Sequence, residues 1–470
     1  MDKNRLTIQI ATTVLLFASR GALSAAGGTG QVTRLVSVNA DGSAGGNGES
    51  LYPSISADGR YVVFASAATD LVVPDTNGVM DIFLRDLDSN LTERVTPLDA
   101  NGRSANPILT PDGRFVVFDS AATNLIPPGE DGNGASDVFR VDLHSRPFTA
   151  SMISVSGSGI QGNAASIQPV VSADGNVVAF SSLADNLAPQ ASVSWDIFVR
   201  DLVAGTTALV SLDSDGVPAS HQSEDQAISE DGRFVAFWSA GHNLHPMDTN
   251  RDDNDVFLRD RVAGTTELVS VNLMGNSGPD DGISGNRESL YASVSAEGRY
   301  VAFISLADDL VEDDTNEDRD AFIRDTWMDR TTRVSLDWQG QQANSSDVVD
   351  IGSLTGNGRF LTFYTGSPDY LPPGQDLNEF WDLYVHDRNT DGDGAFDEPS
   401  AIRTKRVSVG PGHEEGNEQS LNHSLAGTLS ANGDFIVFES RATNLSGMIP
   451  DSNGNDWDVF VRDLRKTLRR

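Results

Sequence analysis

One segment recurs seven times along the chain and constrains the fold more than any other feature. It reads SISADGRYVVF at 54–64, and each later copy keeps a two-residue turn ending in Gly, followed by a strand-like apolar run. The later copies lie at 109–118, 171–180, 228–237, 294–303, 354–363 and 429–438. The turns of successive copies are 54, 62, 57, 66, 60 and 75 positions apart. A repeat of varying period predicts a constant structural unit joined by loops of varying length.

Each copy contains four segments with the composition of short β-strands. The turn between the first two is mostly Asp-Gly or Asn-Gly, which favours a tight hairpin. The third strand follows a longer loop and begins and ends on Asp, as in DIFLRD at 81–86, and the fourth resembles TTELVSV at 265–271. Repeated four-stranded antiparallel units are typical of a β-propeller. We therefore predict an all-β fold, a propeller of seven four-stranded blades.

The two ends of the repeat array predict how the ring closes. The last unit ends with its third strand at 458–463, whereas TRLVSV at 33–38 precedes the first unit and resembles a fourth strand. We predict that 33–38 completes the last blade, because this pairing removes the free edges of an open array. Residues 33–464 should then form one domain, since a single blade cannot bury both faces of its sheet.

The segments outside the repeats predict export. Residues 1–26 combine a basic start, a 13-residue apolar stretch and small residues near Ala25, which is the pattern of a secretory signal peptide. We expect 27–32 to be a linker and 465–470 a basic tail. The sequence has no cysteine, and an exported chain without disulfides favours a bacterial periplasmic or secreted location. No later segment reaches the roughly 18 apolar residues of a spanning helix, so we expect no membrane insertion after leader removal.

The charge balance limits the partners. The sequence has 68 acidic and 33 basic residues, a formal net charge of −35. Nucleic acids and anionic membrane surfaces are bound through Lys and Arg, so neither is an expected partner. An acid excess suits cations and keeps an exported protein soluble. We expect a monomer.

The unit S-x-D-G-R-φ-φ-x-F, followed by D-φ-F-φ-R-D, resembles the repeat of TolB-type β-propellers, which are related to WD-repeat proteins. The resemblance covers essentially all of 33–463. It implies an exported bacterial propeller and says little about activity, because such rings serve both as scaffolds for protein contacts and as sugar-active or peptide-active enzymes. TolB itself is similar to a six-bladed ring behind a separate domain, whereas this chain carries seven units.

Two aspartates recur in every unit, at the start and at the end of the third strand. The first set is Asp81, Asp137, Asp196, Asp255, Asp320, Asp382 and Asp458. The second set is Asp86, Asp142, Asp201, Asp260, Asp325, Asp387 and Asp463. A side chain present in all units is expected to serve the blade. We expect these carboxylates to accept turn amide hydrogens and to pair with Arg85, Arg200, Arg259, Arg324 and Arg462.

The loops between the second and third strands alternate Asp and Asn. Their oxygens could converge on calcium at about 2.3–2.6 Å, or could bond their own backbone in ordinary turns, and both interpretations stay open. The candidates are Asp248, Asn250, Asp252 and Asp255 in blade 4, Asp314, Asn316, Asp318 and Asp320 in blade 5, and Asp451, Asn453, Asn455 and Asp458 in blade 7. Blades 1 and 2 have thinner versions of this pattern, and blade 3 has none.

A loop of blade 6, DRNTDGDGAFDE at 387–398, fits the twelve-residue calcium-loop pattern in full. The candidate ligands are Asp387, Asn389, Asp391, Asp393 and Glu398. A strand precedes the loop and Pro399 follows it, so it resembles the helix-free calcium loops of bacterial exported proteins. We predict calcium here, and the alternative is an acidic turn without an ion.

Loop length predicts the binding face. The fourth-to-first and second-to-third loops of a propeller emerge on one face, and here they are long and divergent, as at 273–290 and 409–424. We expect this loop-rich face to bind protein or glycan partners and the chain to be a non-enzymatic exported scaffold with calcium-stabilised loops. The alternative is a calcium-assisted lyase or hydrolase acting on an extracellular polysaccharide or peptide, although no catalytic constellation is recognisable in the sequence.

Overall fold

The structure is a computed structural model that describes residues 33–250, 253–273, 288–316, 318–343, 349–378, 380–421, 428–447, 449–451 and 453–465. These residues belong to one compact unit. The expected leader, the linker and the tail after Arg465 lie outside the described residues and stay predictions.

Within the described residues the strands form seven four-stranded antiparallel sheets, which confirms the predicted propeller. Blade 1 contains β2 (Ser50–Ile55), β3 (Tyr61–Ser66), β4 (Asp81–Asp86) and β5 (Leu91–Arg94). Blade 2 contains β6 (Ser104–Leu109), β7 (Phe115–Ser120), β8 (Asp137–Asp142) and β9 (Ala150–Met152). Blade 3 contains β10 (Ser166–Val171), β11 (Val177–Ser182), β12 (Asp196–Asp201) and β13 (Thr206–Leu209).

The remaining blades follow the same order. Blade 4 contains β14 (Ser223–Ile228), β15 (Phe234–Ser239), β16 (Asp255–Asp260) and β17 (Thr265–Leu268). Blade 5 contains β18 (Ser289–Val294), β19 (Tyr300–Ser305), β20 (Asp320–Asp325) and β21 (Arg330–Arg333). Blade 6 contains β22 (Asp350–Leu354), β23 (Phe360–Thr365), β24 (Asp382–Asp387) and β25 (Arg403–Arg406), with 3-10 turns at Pro368–Tyr370 and, after β25, at Pro411–His413.

Blade 7 is completed by the N-terminal strand, as predicted. It contains β26 (Ser420–Leu421), β27 (Phe435–Ser440), β28 (Asp458–Asp463) and β1 (Thr33–Leu35). Strand β1 pairs antiparallel with β28, with Leu35 opposite Phe460. The strand itself is shorter than the predicted 33–38, although the Val36 N–H still donates to the Val459 carbonyl at 2.8 Å. The ring is therefore closed by two segments from opposite ends of the chain.

The core consists of one stacked aromatic pair per blade and the apolar surfaces between blades. Each pair joins the second and third strands, with ring centroids 5.6–6.0 Å apart. The pairs are Phe64–Phe83, Phe118–Phe139, Phe180–Phe198, Phe237–Phe257, Phe303–Phe322, Phe363–Tyr384 and Phe438–Phe460. The apolar clusters combine side chains of neighbouring blades, such as Val63 of blade 1 with Phe118 of blade 2. No blade therefore buries its sheet alone.

The first strands are the innermost, because the first strands of successive blades contact one another from β2 round to β22. Their N-terminal ends lie beside the C-terminal ends of the second strands, as the pairing of Ser50 with Ser66 shows. The second-to-third and fourth-to-first loops therefore share one face. The first-to-second and third-to-fourth turns lie on the opposite face, which we call the turn face.

Candidate functional site at the mouth of the central channel

Ten polar or aromatic side chains, at strand positions whose residue type varies between blades, surround the axis near the loop-rich face. They belong to the first halves of the first strands and the last halves of the second strands. We call them the channel ring: Tyr52, Asn106, Asp119, Gln168, Asp225, Trp238, Tyr291, Asp350, Tyr364 and Glu439. All are buried or half-buried. Every blade contributes at least one member, so the ring is assembled by the whole fold.

A β-bulge in the first strand positions half of the ring. Five members occupy the third position of their strands with φ of 47–57°, in the left-handed region that non-glycine residues rarely adopt. They are Tyr52, Asn106, Gln168, Asp225 and Tyr291. The strand pairing shifts register at the same place, for example between Leu51 and Ser54. Bulges re-aim side chains, and backbone strain of this kind is concentrated at functional sites.

Hydrogen bonds connect ring members across blades. Asp119 accepts from Asn106 Nδ2 at 2.6 Å and from the Gln168 backbone N–H at 3.3 Å. The side chain of Gln168 continues the chain by donating to Asp225 Oδ1 at 3.1 Å, and Trp238 Nε1 donates to Asp225 Oδ2 at 2.7 Å. These bonds tie blades 2, 3 and 4 together at the channel mouth.

A separate hydrogen bond joins blades 7 and 1: Glu439 accepts from the Tyr52 backbone N–H. In blade 6, Asp350 lies directly opposite Tyr364 in the strand pairing. The ring therefore combines bonded polar groups with aromatic faces, unlike the solvated Ser, Asn and Thr lining of a plain channel.

Burial raises the pKa of the ring carboxyls. It raises the pKa of Asp119 to about 6, against the hydrogen bond from Asn106, and raises the pKa of Asp350 to about 6, against the nearby Arg319. Burial also raises the pKa of Asp225. With pKa values of about 6, Asp119 and Asp350 change protonation state near neutral pH and can act there as hydrogen-bond donors or as anionic acceptors.

The raised pKa of Asp119 predicts a pH-dependent stability. A carboxyl with a higher pKa in the folded than in the unfolded chain stabilises the fold fully below about pH 4, and this contribution is lost as the pH rises through about 6. We expect the unfolding free energy of the wild type to fall relative to that of Asp119→Asn over this window, by up to about 3 kcal/mol at roughly 1.4 kcal/mol per pKa unit. Urea unfolding of both proteins across the window measures the difference, and parallel pH profiles would contradict the prediction.

The sevenfold aspartates do serve the blades, as expected. The first set accepts a hydroxyl hydrogen in every blade, at 2.5–3.0 Å, from the Ser or Thr that follows the fourth strand. Members of the second set accept turn amides, as Asp86 does from the Asp88 N–H at 3.0 Å.

The expected arginine partners of the second set were wrong. Asp86 pairs with Arg60 of the hairpin turn at 2.7 Å, and the equivalent turn arginine serves Asp142, Asp260, Asp325 and Asp387. The strand arginines named from the sequence, Arg85, Arg200, Arg259, Arg324 and Arg462, bond other groups: hydroxyls, backbone carbonyls and, for Arg324, Asp329. Adjacent strand residues project to opposite faces of a sheet, so Arg85 and Asp86 cannot meet.

The structure places the candidate ligands of blade 5 around an arginine. The Arg333 guanidinium lies 3.3 Å from Asp314 and 3.6 Å from Asp320. Asn316 donates to Asp320 at 3.3 Å, and the Asp318 N–H bonds the Asn316 side chain at 3.2 Å. In blade 5 the Arg333 guanidinium therefore already supplies the positive charge beside these carboxylates.

The candidate ligands of blades 4 and 7 are only partly engaged. Asp255 and Asp458 are fully buried, with 2% and 0% exposure. One carboxylate oxygen of each, together with one of Asp248 and one of Asp451, has no hydrogen-bond partner. Asn250 and Asn453 lie in the same loops, Asn455 is exposed, and Asp252 lies outside the described residues.

The loop at 387–398 lies on the turn face, away from the channel ring. Asp391, Asp393 and Glu398 are exposed, and they bring one oxygen each within 4.8 Å of one another. The other two candidates are engaged elsewhere: Asp387 binds Arg359 at 2.7 Å, and the Asn389 side-chain Oδ1 accepts from the Gly392 N–H at 2.8 Å. The twelve-residue pattern did not indicate that Asp387 is already paired. Asp387 belongs to the second sevenfold set, five of whose members bond the arginine of the hairpin turn.

The channel ring itself was missed by the sequence analysis. The signal lies in the columns of the repeat alignment that do not repeat. The third position of the first strand is Tyr, Asn, Gln, Asp or Tyr in blades 1 to 5, while the strand begins with Ser in all five. A variable polar position inside a constant strand indicates a site rather than a structural role.

Comparisons with known proteins agree on the fold. No family model matches the chain, and the search of curated proteins gives no significant match. A solved oligogalacturonate lyase in complex with manganese is 12% identical, covers 94% of this chain and 98% of its own, and gives a TM-score of 0.51. The β-propeller domain of the Trilobed protease from Pyrococcus furiosus is 11% identical, with coverage of 88% and 95% and a TM-score of 0.49. TolB from Acinetobacter baumannii is 12% identical, with coverage of 87% and 81% and a TM-score of 0.34.

At these identities the likeness shows the fold alone. The chain is a seven-bladed β-propeller, and its own sheets confirm the propeller fold that the resemblance to TolB-type repeats implies. The search for membrane-crossing helices among the described residues finds none of sufficient length and apolarity.

Proposed function

We propose that this propeller is an exported, non-enzymatic scaffold that binds protein or glycan partners on its loop-rich face, with the channel ring as the centre of recognition. The channel ring carries this proposal, because it is the part of the axis where the polar and aromatic side chains vary between blades instead of repeating seven times. A small number of placed polar groups beside aromatic surface is what a selective binding site needs. The ring lies at the face that the long loops surround.

The ring favours neutral or cationic ligands. Its four carboxyls are Asp119, Asp225, Asp350 and Glu439, and two arginines, Arg103 and Arg319, lie near enough to act on the pKa of Asp119 and Asp350. The formal net charge of −35 adds a repulsive field for anions. A lyase acting on a polyanionic sugar has weaker support, because its substrate would meet carboxylates at the channel mouth. A hydrolase of neutral substrates would need a catalytic set that the ring does not supply.

Calcium forms the second part of the proposal. Asp391, Asp393 and Glu398 offer the oxygen ligands that calcium prefers, on a loop whose Gly392 adopts a φ of 75° at the sharp turn. Arg388 anchors this loop by bonding Asp397 at 2.5 Å, and its guanidinium lies over the Tyr300 ring of blade 5. An ion here would order the turn face and leave the channel ring free.

A binding panel tests the proposal. Calorimetry against neutral, amino and uronate oligosaccharides and against basic and acidic peptides is expected to detect neutral or cationic ligands and no uronates. Asp225→Asn with Asp350→Asn removes two ring charges and keeps the side-chain shapes, so cationic ligands should bind at least about tenfold more weakly, as for the loss of one charge-assisted bond of about 1.5 kcal/mol.

The matched control is Glu93→Gln, which removes an acid from the exposed outer strand of blade 1 and should bind as the wild type does. Asp391→Ala should leave ligand affinity unchanged and lower the heat of calcium binding. Binding confined to uronates, or release of cleaved product from any member of the panel, would contradict the scaffold proposal. Equal calcium heats for Asp391→Ala and the wild type would contradict the calcium part.

A further inference from the structure

The fourth strands differ at one position that decides the charge balance of each blade. This position pairs with the aromatic residue of the third strand. It is Arg94 in blade 1, Arg333 in blade 5 and Arg406 in blade 6. It is Leu268 in blade 4 and Leu35 in blade 7.

The arginine neutralises two buried carboxylates in the blades that have it. Arg94 lies 2.8 Å from Asp75 of the second-to-third loop and 2.7 Å from Asp81 at the start of the third strand. All three side chains are at most 3% exposed. The same arrangement holds in blades 5 and 6. The space between the loop aspartate and the strand aspartate is therefore a position that the blade fills with a cation.

Blade 2 shows the neutral solution to the same problem. It has no arginine at this position, and Gln161 from the following loop donates to Asp131 at 2.9 Å and to Asp137 at 2.7 Å. Gln161 forms an isolated bridge with Val155, and the residue that forms the equivalent bridge in blade 7 is Gly45.

Blade 7 has the two carboxylates but neither the arginine of blades 1, 5 and 6 nor the glutamine of blade 2. Asp458 Oδ1 accepts from Ser37 Oγ at 2.5 Å, while Asp458 Oδ2, Asp451 Oδ2 and Asn453 Oδ1 are buried with no hydrogen-bond partner. A Cβ on Gly45 would lie 3.5 Å from Asp458 Oδ2 and 3.7 Å from Asp451 Oδ1, so both carboxylates border the space that a glutamine fills in blade 2. Burying an unpaired carboxylate in a protein costs roughly several kcal/mol unless a cation compensates its charge.

We propose that blade 7 binds a divalent cation of the calcium class between Asp451, Asn453 and Asp458, at the place that the arginine guanidinium takes in blades 1, 5 and 6. The donors are carboxylate and amide oxygens, which select hard cations over zinc or copper.

The site lies where the ring closes. Ser37, which bonds the other oxygen of Asp458, follows β1, and Asp458 begins β28. A cation held by Asp458 and Asp451 therefore strengthens the junction between the two ends of the chain. Blade 4 shares the pattern, with Leu268 at the arginine position and free oxygens on Asp248 and Asp255.

Terbium luminescence isolates the blade 7 site, because Tb³⁺ replaces Ca²⁺ and is sensitised by a nearby indole. Trp457 precedes Asp458 and is buried. The experiment uses the full chain with Asp391→Ala and Trp238→Phe, so that neither the loop at 387–398 nor the indole that bonds Asp225 in the channel ring contributes signal. We expect Tb³⁺ to give sensitised emission that excess Ca²⁺ removes, and Ca²⁺ to raise the Tm by several degrees.

Two variants decide the outcome. Leu35→Arg supplies the guanidinium of the sister blades and should fold without metal, lose the emission and lose the part of the Tm rise due to blade 7. Trp457→Phe should lose the emission and keep the full Tm rise. Persistent emission in Leu35→Arg, or a wild type that neither emits nor shifts its Tm, overturns the proposal. If Leu35→Arg does not fold, Gly45→Gln makes the same test, because it supplies the glutamine that bonds both carboxylates in blade 2.

Discussion

A chain that starts at Asn39 is expected to lose the closed ring and to self-associate. Removing residues up to Val38 deletes β1 and exposes the edge of β28 along the pairs from Thr33–Arg462 to Leu35–Phe460. Leu35, Val36 and Val38 are at most 4% exposed, and loss of three such side chains costs roughly 5–9 kcal/mol. That loss is comparable with the total stability of about 5–15 kcal/mol of a typical domain.

Polar contacts add to this loss. Arg462 is 1% exposed and donates to Thr33 Oγ1 at 2.8 Å and to the Val409 carbonyl at 3.0 Å. Without Thr33 the guanidinium keeps the bond to blade 6 and loses its partner in β1. An open blade with an unpaired β28 then presents a template for strand addition from another chain.

Light scattering after size-exclusion chromatography measures the effect. The control is a chain that starts at Gln31, which keeps β1 and should behave as a monomer with the wild-type Tm. A synthetic peptide of residues 31–40, added to the shortened chain, should restore the monomer by donating the missing strand. A shortened chain that is monomeric and melts as the control does would contradict the closure argument.

Most of the fold could be predicted from the sequence because the same unit is written seven times. The turn dipeptides fix each hairpin, and the leftover strands at both ends leave one way to complete the last blade. The arginine pairing depends on the hairpin turn: Arg60 lies in the turn immediately before Tyr61, the residue opposite Asp86, and bonds that carboxylate from there. The sequence pattern did not indicate this contact.

The candidate site was less accessible, because it depends on contacts between blades. Gln168 reaches Asp225 across 57 residues of sequence, and no local pattern indicates such a pair. The acidic loops could be recognised in the sequence, but the groups that neutralise their carboxylates could not. Asp314 and Asp451 stand in similar loops, and residues outside those loops distinguish their surroundings, such as Arg333 in blade 5 and Leu35 in blade 7.

Replacing Arg406 by methionine is expected to destabilise the propeller by roughly 3–5 kcal/mol in calcium-free buffer, because it leaves buried carboxylates without their cation. Arg406 Nη1 lies 2.7 Å from Glu415, 2.8 Å from Asp382 and 3.6 Å from Asp376. Methionine keeps most of the apolar stem and removes the charge. Chemical unfolding with a chelator present measures the loss.

Calcium should then restore much of the stability that Arg406→Met loses. Asp376, Asp382 and Glu415 each bring an oxygen within 4.8 Å of the others, so removal of the guanidinium leaves a set of hard ligands around the vacated space. Arg403→Met, on the exposed side of the same strand, should change the unfolding free energy by less than about 0.5 kcal/mol and gain no more stability from calcium than the wild type does. If calcium leaves Arg406→Met unchanged, the guanidinium is not exchangeable with a metal ion in this fold. A cation in blade 7 would then lose its support from the sister blades, because Asp376 and Asp382 of blade 6 are the equivalents of Asp451 and Asp458 of blade 7.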